Sequence, residues 1–224
     1  MRMIGPFEIH EPLARGGHAV VHAARWTANG TDIGLVAKIA IPGTELALHR
    51  ENATLRAVVH GNLIAPIAFV DDATHAALVL PRAACSLRAH LGRLDEAEAL
   101  PVAIAITAAL EALHRAGYVH DDVTAGNILL LDDGTPVLSD LGSAAPHTEA
   151  GARADIAALA RTLREVMVPG ASALRDLAER VERSACDAAE FALELQALDI
   201  APRAIDVHAA PPVALEPPTI VVTD

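Results

Sequence analysis

The fold is decided by His120-Asp121-Asp122-Val123-Thr124-Ala125-Gly126-Asn127, followed by Asp140-Leu141-Gly142, which begins thirteen residues after Asn127. Both stretches combine carboxylate and amide side chains, which are the oxygen ligands that divalent cations prefer. Each stretch alone is also compatible with an ordinary turn or loop cap. Their order and spacing, together with two signals nearer the N-terminus, are therefore what carry the interpretation.

The first N-terminal signal is a turn rich in small residues, Leu13-Ala14-Arg15-Gly16-Gly17-His18-Ala19-Val20-Val21, between two strand-like segments. The second is Val36-Ala37-Lys38-Ile39, a lysine inside an apolar run. A single lysine in a strand is usually a surface residue, although apolar neighbours make a merely solvated lysine less common. Lys38 is therefore a candidate functional residue only in combination with the other signals.

Taken in this order, the four signals resemble those of the protein-kinase superfamily, over roughly residues 7–200. The resemblance implies an α+β, two-lobed protein-kinase-like fold. We predict an N-terminal lobe of antiparallel sheet plus one helix over residues 1–80 and a reduced, mainly helical C-terminal lobe over residues 81–200. A flexible tail rich in Pro and Ala is predicted over residues 201–224.

Hydrophobic patterns place the elements more finely. In the first lobe they predict strands at 7–10, 19–25, 34–41, 64–70 and 76–80, with one helix at 45–59. In the second lobe they predict helices at 86–91, 97–116, 155–168, 171–184 and 187–198. A hairpin is predicted around Asp132-Asp133-Gly134.

The resemblance assigns the predicted site residues their roles. Lys38 holds the phosphates of ATP, and Glu51 on the following helix positions Lys38, with Glu45 as a rival partner. Asp122 orients the acceptor hydroxyl and accepts its proton. Asn127 and Asp140 bind Mg²⁺. The further predicted nucleotide contacts are Gly16, Gly17, Val21, Ala37 and Leu80. His120 is interpreted as a packed, hydrogen-bonding histidine.

The chain also departs from the family pattern. The first and last glycines of the family's loop are Ala14 and Ala19 here. Asp121 replaces an arginine that senses phosphate on the activation loop, so phosphorylation there is not the expected switch. Thr124 replaces a lysine that neutralises the transferred phosphate.

The segment that follows Asp140 is short. Only 15 positions separate Asp140 from Asp155, which we expect to open the next helix, and no A-P-E sequence occurs. The usual platform for an extended peptide substrate is therefore predicted to be absent.

Composition bounds the partners and the compartment. A net charge of −12 and 2% aromatic residues argue against nucleic acid as a partner. The longest apolar stretch, residues 100–110, is too short to span a bilayer. Two cysteines, Cys85 and Cys186, fit a reducing compartment. We expect a cytoplasmic protein without membrane contact.

These features predict an ATP- and Mg²⁺-dependent phosphotransferase that acts on Ser or Thr of a protein. The first half resembles bacterial Ser/Thr kinases, with Phe7-Glu8-Ile9 leading into the loop. One alternative is a nucleotide-binding pseudokinase that acts as a scaffold. Another is a small-molecule kinase of the aminoglycoside or choline kinase type. A protein substrate or regulatory partner could dock on the tail around Thr219, which is otherwise interpreted as an unstructured end.

Overall fold

The computed structural model describes residues 2–72 and 74–208. These residues form two compact units, one of residues 2–53 and 65–82 and one of residues 54–64 and 83–208. The first holds a sheet and the second most of the helices, so the predicted α+β class is confirmed. The predicted docking segment around Thr219 lies outside the described residues.

The first unit is built on a six-stranded antiparallel sheet. Its strands are β1 (Arg2–Ile4), β2 (Phe7–Arg15), β3 (Ala19–Ala28), β4 (Thr31–Ala40), β5 (Ala68–Asp71) and β6 (Ala76–Pro81). They are arranged in the order β1-β2-β3-β4-β6-β5. Helix α1 (Glu45–Ala57) follows β4 in the chain. The strand order makes β4 a central strand, with β3 and β6 on its two sides.

Alternation along β4 decides which side chains enter the core of the sheet. Leu35, Ala37 and Ile39 are buried, and the residues between them are partly exposed. Successive side chains of a strand point to opposite faces, so Lys38 lies on the face opposite Ala37. The buried residues belong to a hydrophobic cluster of Ile4, Phe7, Ile9, Ala24, Leu35, Ala37, Ile39, Ala77 and Val79.

The second unit contains four α-helices and two small sheets. Its elements are β7 (Cys85–Ser86), a 3-10 helix (Leu87–His90), α2 (Glu96–Arg115), β8 (Tyr118–Val119), β9 (Ile128–Leu130), β10 (Pro136–Leu138), a 3-10 helix (Leu141–Ser143), β11 (Ala145–Pro146), α3 (Glu149–Val166), α4 (Ala173–Arg183) and α5 (Ala188–Gln196). The sheets have the orders β10-β9-β7 and β11-β8. The predicted hairpin at residues 132–134 joins β9 to β10, with Gly134 at φ +82°.

Helix α2 begins with a capping box, in which Asp95 accepts from the Glu98 N–H and Glu98 accepts from the Asp95 N–H. Pro101 lies inside the helix and lacks the N–H that would bond to the Ala97 carbonyl. The backbone N–H of Arg203 donates to that carbonyl instead, at 2.8 Å. A segment distant in sequence thus repairs the helix where proline would weaken it.

Helix α2 is also, among the described residues, the one helix whose length and apolar composition would suffice to cross a membrane. Half of that apolar stretch is buried inside the protein, and core helices of soluble proteins share this composition. The expectation of no membrane contact stays a prediction.

Two predicted boundaries were wrong. Strand β5 begins at Ala68 instead of residue 64, because Pro66 cannot donate to a ladder. Helix α3 begins at Glu149 instead of Asp155, with Thr148 as the N-cap that accepts from the Gly151 N–H.

The structure describes residues 201–208 of the predicted tail. In this part Ile205 and Val207 are buried, and Arg203 pairs with Asp95 and Glu98. The flexibility of the tail stays a prediction. The short strand β1, which no pattern predicted, pairs with β2 through a turn at Gly5, whose φ is +54°.

Candidate functional site

The first unit contains a buried ion pair on strand β4. Nζ of Lys38 lies 2.7 Å from Oε2 of Glu51, which is on α1. The side chain of Lys38 is 15% exposed and that of Glu51 is 2% exposed. Glu45, the rival partner, is exposed and accepts a hydrogen bond from the Gly43 N–H. The backbone N–H of Gly43 is also the main cause that lowers the pKa of Glu45.

The register of the sheet places two predicted nucleotide contacts beside Lys38. Val21 on β3 lies directly opposite Lys38, and Leu80 on β6 lies directly opposite Val36, two residues from Lys38. Directly paired residues project from the same face of a sheet. Val21, Val36, Lys38 and Leu80 therefore share one face, which we call the Lys38 face.

Ala37 does not belong to the Lys38 face. Its side chain is fully buried in the hydrophobic cluster on the other side of the sheet. This placement corrects the predicted nucleotide contact at Ala37, because one strand residue cannot present its side chain to both faces. Val36 lies on the Lys38 face instead, and the period-two pattern around Lys38 could have indicated this.

The Gly-rich turn is closed by a hydrogen bond from the Gly16 N–H to the Ala19 carbonyl, at 2.9 Å. Neither Gly16 nor Gly17 has a positive φ. A Cβ built on Gly17 would meet nothing within 4 Å. The turn therefore does not need glycine for its backbone conformation, and Ala14 and Ala19 lie within β2 and β3. The open space around Gly17 permits a close approach by a ligand.

In the second unit, His120 is fully buried and has a structural role. Its Nε2 lies 3.0 Å from the Ser139 carbonyl, and its Nδ1 accepts from the Asp122 N–H at 3.3 Å. These partners assign the neutral tautomer with the proton on Nε2. Burial lowers the pKa of His120 below its ordinary value. The histidine thus connects the two stretches that contain Asp122 and Asp140.

Asp155 fixes the backbone that precedes Asp122. It is 2% exposed and lies in the second turn of α3. Its Oδ2 accepts from the His120 N–H at 2.8 Å, and its Oδ1 accepts from the Asp121 N–H at 2.9 Å. Nε2 of His114 lies 2.9 Å from the same Oδ2. These contacts hold Asp121 at φ +63°, a conformation that Asp tolerates better than most residues.

Asp122 and Asn127 are joined directly. The amide Nδ2 of Asn127 donates to Oδ2 of Asp122 at 2.8 Å and to the Asp122 carbonyl at 2.9 Å. Asp122 itself is exposed. An exposed carboxylate in a fixed orientation can accept a proton from a bound hydroxyl. The side-chain oxygen Oδ1 of Asn127 remains available as an acceptor, because the side-chain nitrogen Nδ2 is the donor in these bonds.

Asn127 is also connected to the residue before Asp140. Both the backbone N–H and the hydroxyl of Ser139 donate to the Asn127 backbone carbonyl, at 2.8 and 2.9 Å. Asp140 has φ +63°, and its Oδ1 accepts from the Gly142 N–H at 3.3 Å. Strained residues of this kind are common at functional sites.

An amide oxygen and a carboxylate fit a magnesium ion, which takes few protein ligands and completes its shell with water and phosphate oxygens. In the described part of the chain, no group of three or more His, Cys, Asp or Glu side chains could hold a metal. Asn127 and Asp140 are the candidate donors for such an ion.

Eight residues, 141–148, join Asp140 to α3. Strand β11 within this link pairs with β8, and Thr148 caps the helix. A Cβ on Gly151 would lie 3.0 Å from Oγ1 of Thr148 and 3.1 Å from Val119 Cγ1, so a side chain there would require these neighbours to shift by a few tenths of an ångström. The link is therefore short and paired to β8, and the absence of an extended peptide platform stays a prediction.

Known protein families and proteins match the part of the chain that contains the site residues described above. A family model described as "Protein kinase domain" matches residues 7–160. The chain is 52% identical over 50 residues to "Serine/threonine-protein kinase 16" of Mus musculus, covering 22% of this chain and 16% of that protein. It is 50% identical over 58 residues to "Serine/threonine-protein kinase PknK" of Mycobacterium tuberculosis, covering 26% of this chain and 5% of that protein.

A third relative is matched over a longer stretch. The chain is 32% identical over 142 residues to a "Serine/threonine-protein kinase" of Suid herpesvirus 1, covering 62% of this chain and 41% of that protein. The chain thus spans less than half the length of each of these three relatives.

Proposed function

Because this chain belongs to the protein kinase family, we propose that it is an ATP- and Mg²⁺-dependent phosphotransferase that acts on Ser or Thr of proteins. The observation that carries the proposal is the ion pair of Lys38 and Glu51, with its carboxylate 2% exposed. Removing two charges from water costs several kcal/mol per ion, so such a pair contributes little net stability. A pair of this kind is better explained by a ligand that needs an oriented cation.

Within the proposal, Lys38 binds the α- and β-phosphates, and Glu51 holds the ammonium group in place. Val21, Val36 and Leu80 of the Lys38 face supply the apolar contacts to the base, and Gly16 and Gly17 lie over the phosphates. The open space around Gly17 supports this role. The buried position of Ala37 is the reason that its side chain has no part in the site.

Asn127 and Asp140 would hold Mg²⁺, which supplies charge neutralisation on the phosphates when bound. Asp122 orients the acceptor hydroxyl and takes its proton. The acceptor oxygen forms a bond to the γ-phosphorus as the bond from that phosphorus to the β,γ-bridging oxygen breaks, and ADP leaves. The hydrogen bond from Asn127 Nδ2 to Asp122 Oδ2 supports this orientation, since it leaves Oδ1 of the exposed carboxylate for the hydroxyl.

A protein Ser or Thr as acceptor is supported by the names of the relatives. A small-molecule hydroxyl is the second candidate, favoured by the eight-residue link between Asp140 and α3, which leaves little backbone for a peptide to lie on. The third candidate is a nucleotide-binding scaffold without turnover. It is favoured by Ala14 and Ala19, which stand where the family's loop has glycines.

One experiment separates these functions. Thermal unfolding with and without Mg-ATP is followed, in the same samples, by transfer of radiolabel from ATP to protein substrates. The wild type is compared with Lys38→Met, Asp122→Asn and Asp140→Asn, and with Asp132→Asn as a control in the exposed β9–β10 turn. We expect label transfer by the wild type and the control only.

Stabilisation by Mg-ATP without any label transfer would favour the scaffold. Consumption of ATP that only an amino sugar or an amino alcohol stimulates would favour the small-molecule kinase. Full activity of Asp122→Asn or Asp140→Asn would refute the proposed mechanism.

A further inference from the structure

The segment between Asp122 and Asn127 has no cationic side chain of its own. Val123, Thr124 and Gly126 leave this part of the surface uncharged. A transferred phosphoryl group is densely charged, and an acceptor brought beside it needs favourable electrostatics nearby. A cation from another element of the second unit can supply them.

Arg88 provides that cation from the 3-10 helix Leu87–His90. Its backbone N–H donates to the Ala125 carbonyl at 2.9 Å, which fixes the 3-10 helix against the segment. A Cβ built on Gly126 would lie 3.4 Å from Nη2, 3.6 Å from Nε and 3.7 Å from Cζ of Arg88. The guanidinium group therefore lies where a side chain at position 126, next to Asn127, would come into van der Waals contact with it.

The guanidinium donors of Arg88 have no partner among the residues that the structure describes. Arg88 is exposed, and among residues 2–72 and 74–208 its guanidinium forms no ion pair and no side-chain hydrogen bond. Other arginines of the same unit are engaged: Arg164 pairs with Glu182, and Arg175 donates to three backbone carbonyls. In a chain of net charge −12, a guanidinium that lies next to this segment and has no carboxylate partner among the described residues is available to an external anion.

We infer that Arg88 is a specificity-determining residue that binds an anionic group, a carboxylate or a phosphate, close to the accepting hydroxyl. The inference rests on the proposed function and names its substrate class: proteins in which the target Ser or Thr has an acidic or already phosphorylated neighbour. The planar guanidinium suits both anions, because it can donate two parallel hydrogen bonds to either. Gly126 contributes by leaving the space that a side chain would take.

The test uses a set of Ser-containing peptides that differ at one neighbour of the serine. This neighbour is glutamate, phosphoserine, glutamine or lysine, scanned from two residues before to two residues after the serine. Both kcat/KM and peptide binding by fluorescence anisotropy are measured. The proteins are the wild type, Arg88→Gln, Arg88→Glu and Gly126→Glu, with Arg93→Gln as the control. Arg93 is exposed and follows the same 3-10 helix.

We expect the wild type to prefer glutamate over glutamine by about three- to fivefold, as for an exposed ion pair. The preference for phosphoserine over glutamine should be about tenfold, because phosphoserine has more charge and more acceptor oxygens than glutamate. The preference should weaken with added salt. Arg88→Gln should lose it, Arg88→Glu should favour lysine instead, and Arg93→Gln should keep it. Gly126→Glu should also lose it, because its carboxylate would pair with Arg88; Gly126 has no positive φ that would oppose the substitution.

Several outcomes would overturn the inference. One is a wild type that does not discriminate among the peptides. Another is a preference that survives in Arg88→Gln. A third is an Arg88→Gln variant that raises KM for ATP equally with every peptide, which would place Arg88 on the nucleotide. If the peptides bind with different affinities but no Asp122-dependent turnover occurs, the role of Arg88 is supported and the proposed phosphotransferase is refuted. If turnover occurs but does not differ among the peptides, the phosphotransferase is supported and the role of Arg88 is refuted.

Discussion

Replacement of Asp155 by asparagine should destabilise the protein and slow catalysis together. The carboxylate accepts from the His120 N–H at 2.8 Å, from the Asp121 N–H at 2.9 Å, and contacts His114 at 2.9 Å. Asparagine has one acceptor oxygen, and its NH₂ group would oppose one of the two N–H donors. An unsatisfied buried donor costs about 1–3 kcal/mol.

The His120 N–H is buried, whereas the Asp121 N–H is only partly so and can reach water. We therefore expect a loss of about 2–3 kcal/mol in the free energy of unfolding, a large part of the roughly 5–15 kcal/mol that a domain has. Because the same bonds hold Asp121 at φ +63°, the position of Asp122 should also shift, and kcat should fall by at least tenfold.

Urea denaturation at pH 7.5 measures the first effect and peptide phosphorylation the second. Asp132→Asn makes the same chemical change at an exposed turn and should stay within about 0.5 kcal/mol of the wild type. An Asp155→Asn variant as stable as that control would show that the buried carboxylate does not hold the segment before Asp122. A loss of stability with unchanged kcat would show that it does not position Asp122.

Three further perturbations test other parts of the structure. Glu51→Gln should lower the free energy of unfolding by about 2 kcal/mol. In a double-mutant cycle with Lys38→Met by urea denaturation, the two losses should be less than additive, because the second change removes the stranded ammonium; additive losses would contradict the pair. Burial lowers the pKa of His120 below 6.5 in the folded protein. As the pH falls below 6.5, the His120 imidazole therefore takes up a proton in the unfolded chain before it does so in the folded protein. Stability should therefore decrease from pH 7 toward the lowered pKa, by up to about 1.4 kcal/mol per pH unit from this group, and urea titrations of His120→Asn should show a smaller slope. Burial, with nearby carboxylates adding to it, raises the pKa of Cys186 to about 11, so mass spectrometry after iodoacetamide treatment at pH 8 should find Cys186 unmodified until the protein is unfolded.

The family prediction is confirmed, because it depended on short motifs whose order and spacing are visible in one dimension. The antiparallel sheet followed by helices is confirmed for the same reason: alternation and helical periodicity are local. The roles of the individual site residues stay predictions. The misplaced contact at Ala37 shows a signal that was present in the sequence, since Lys38 and its neighbours on either side cannot share a face.

Other features depend on contacts that no local pattern contains. Thr148 is an ordinary N-cap, but Asp155 also resembles a helix start, and the local sequence does not choose between them. Arg203 donates to the Ala97 carbonyl that Pro101 leaves without a helix partner, and these two residues are 106 positions apart along the chain. The position of Arg88 over Gly126 likewise follows from a long-range contact.

The segment that contains Asp122 is held by backbone-directed bonds from separate elements. Asp155 on α3 binds the N–H groups of residues 120 and 121, His120 binds the Ser139 carbonyl, and the N–H of Arg88 binds the Ala125 carbonyl. None of these bonds involves the link of residues 141–148. In family members that phosphorylation switches on, the phosphate is added to the corresponding link. In this chain the link is short and paired to β8. An aspartate at position 121 would repel a phosphate that an arginine would bind. We therefore expect the segment that contains Asp122 to keep its conformation without phosphorylation of the link.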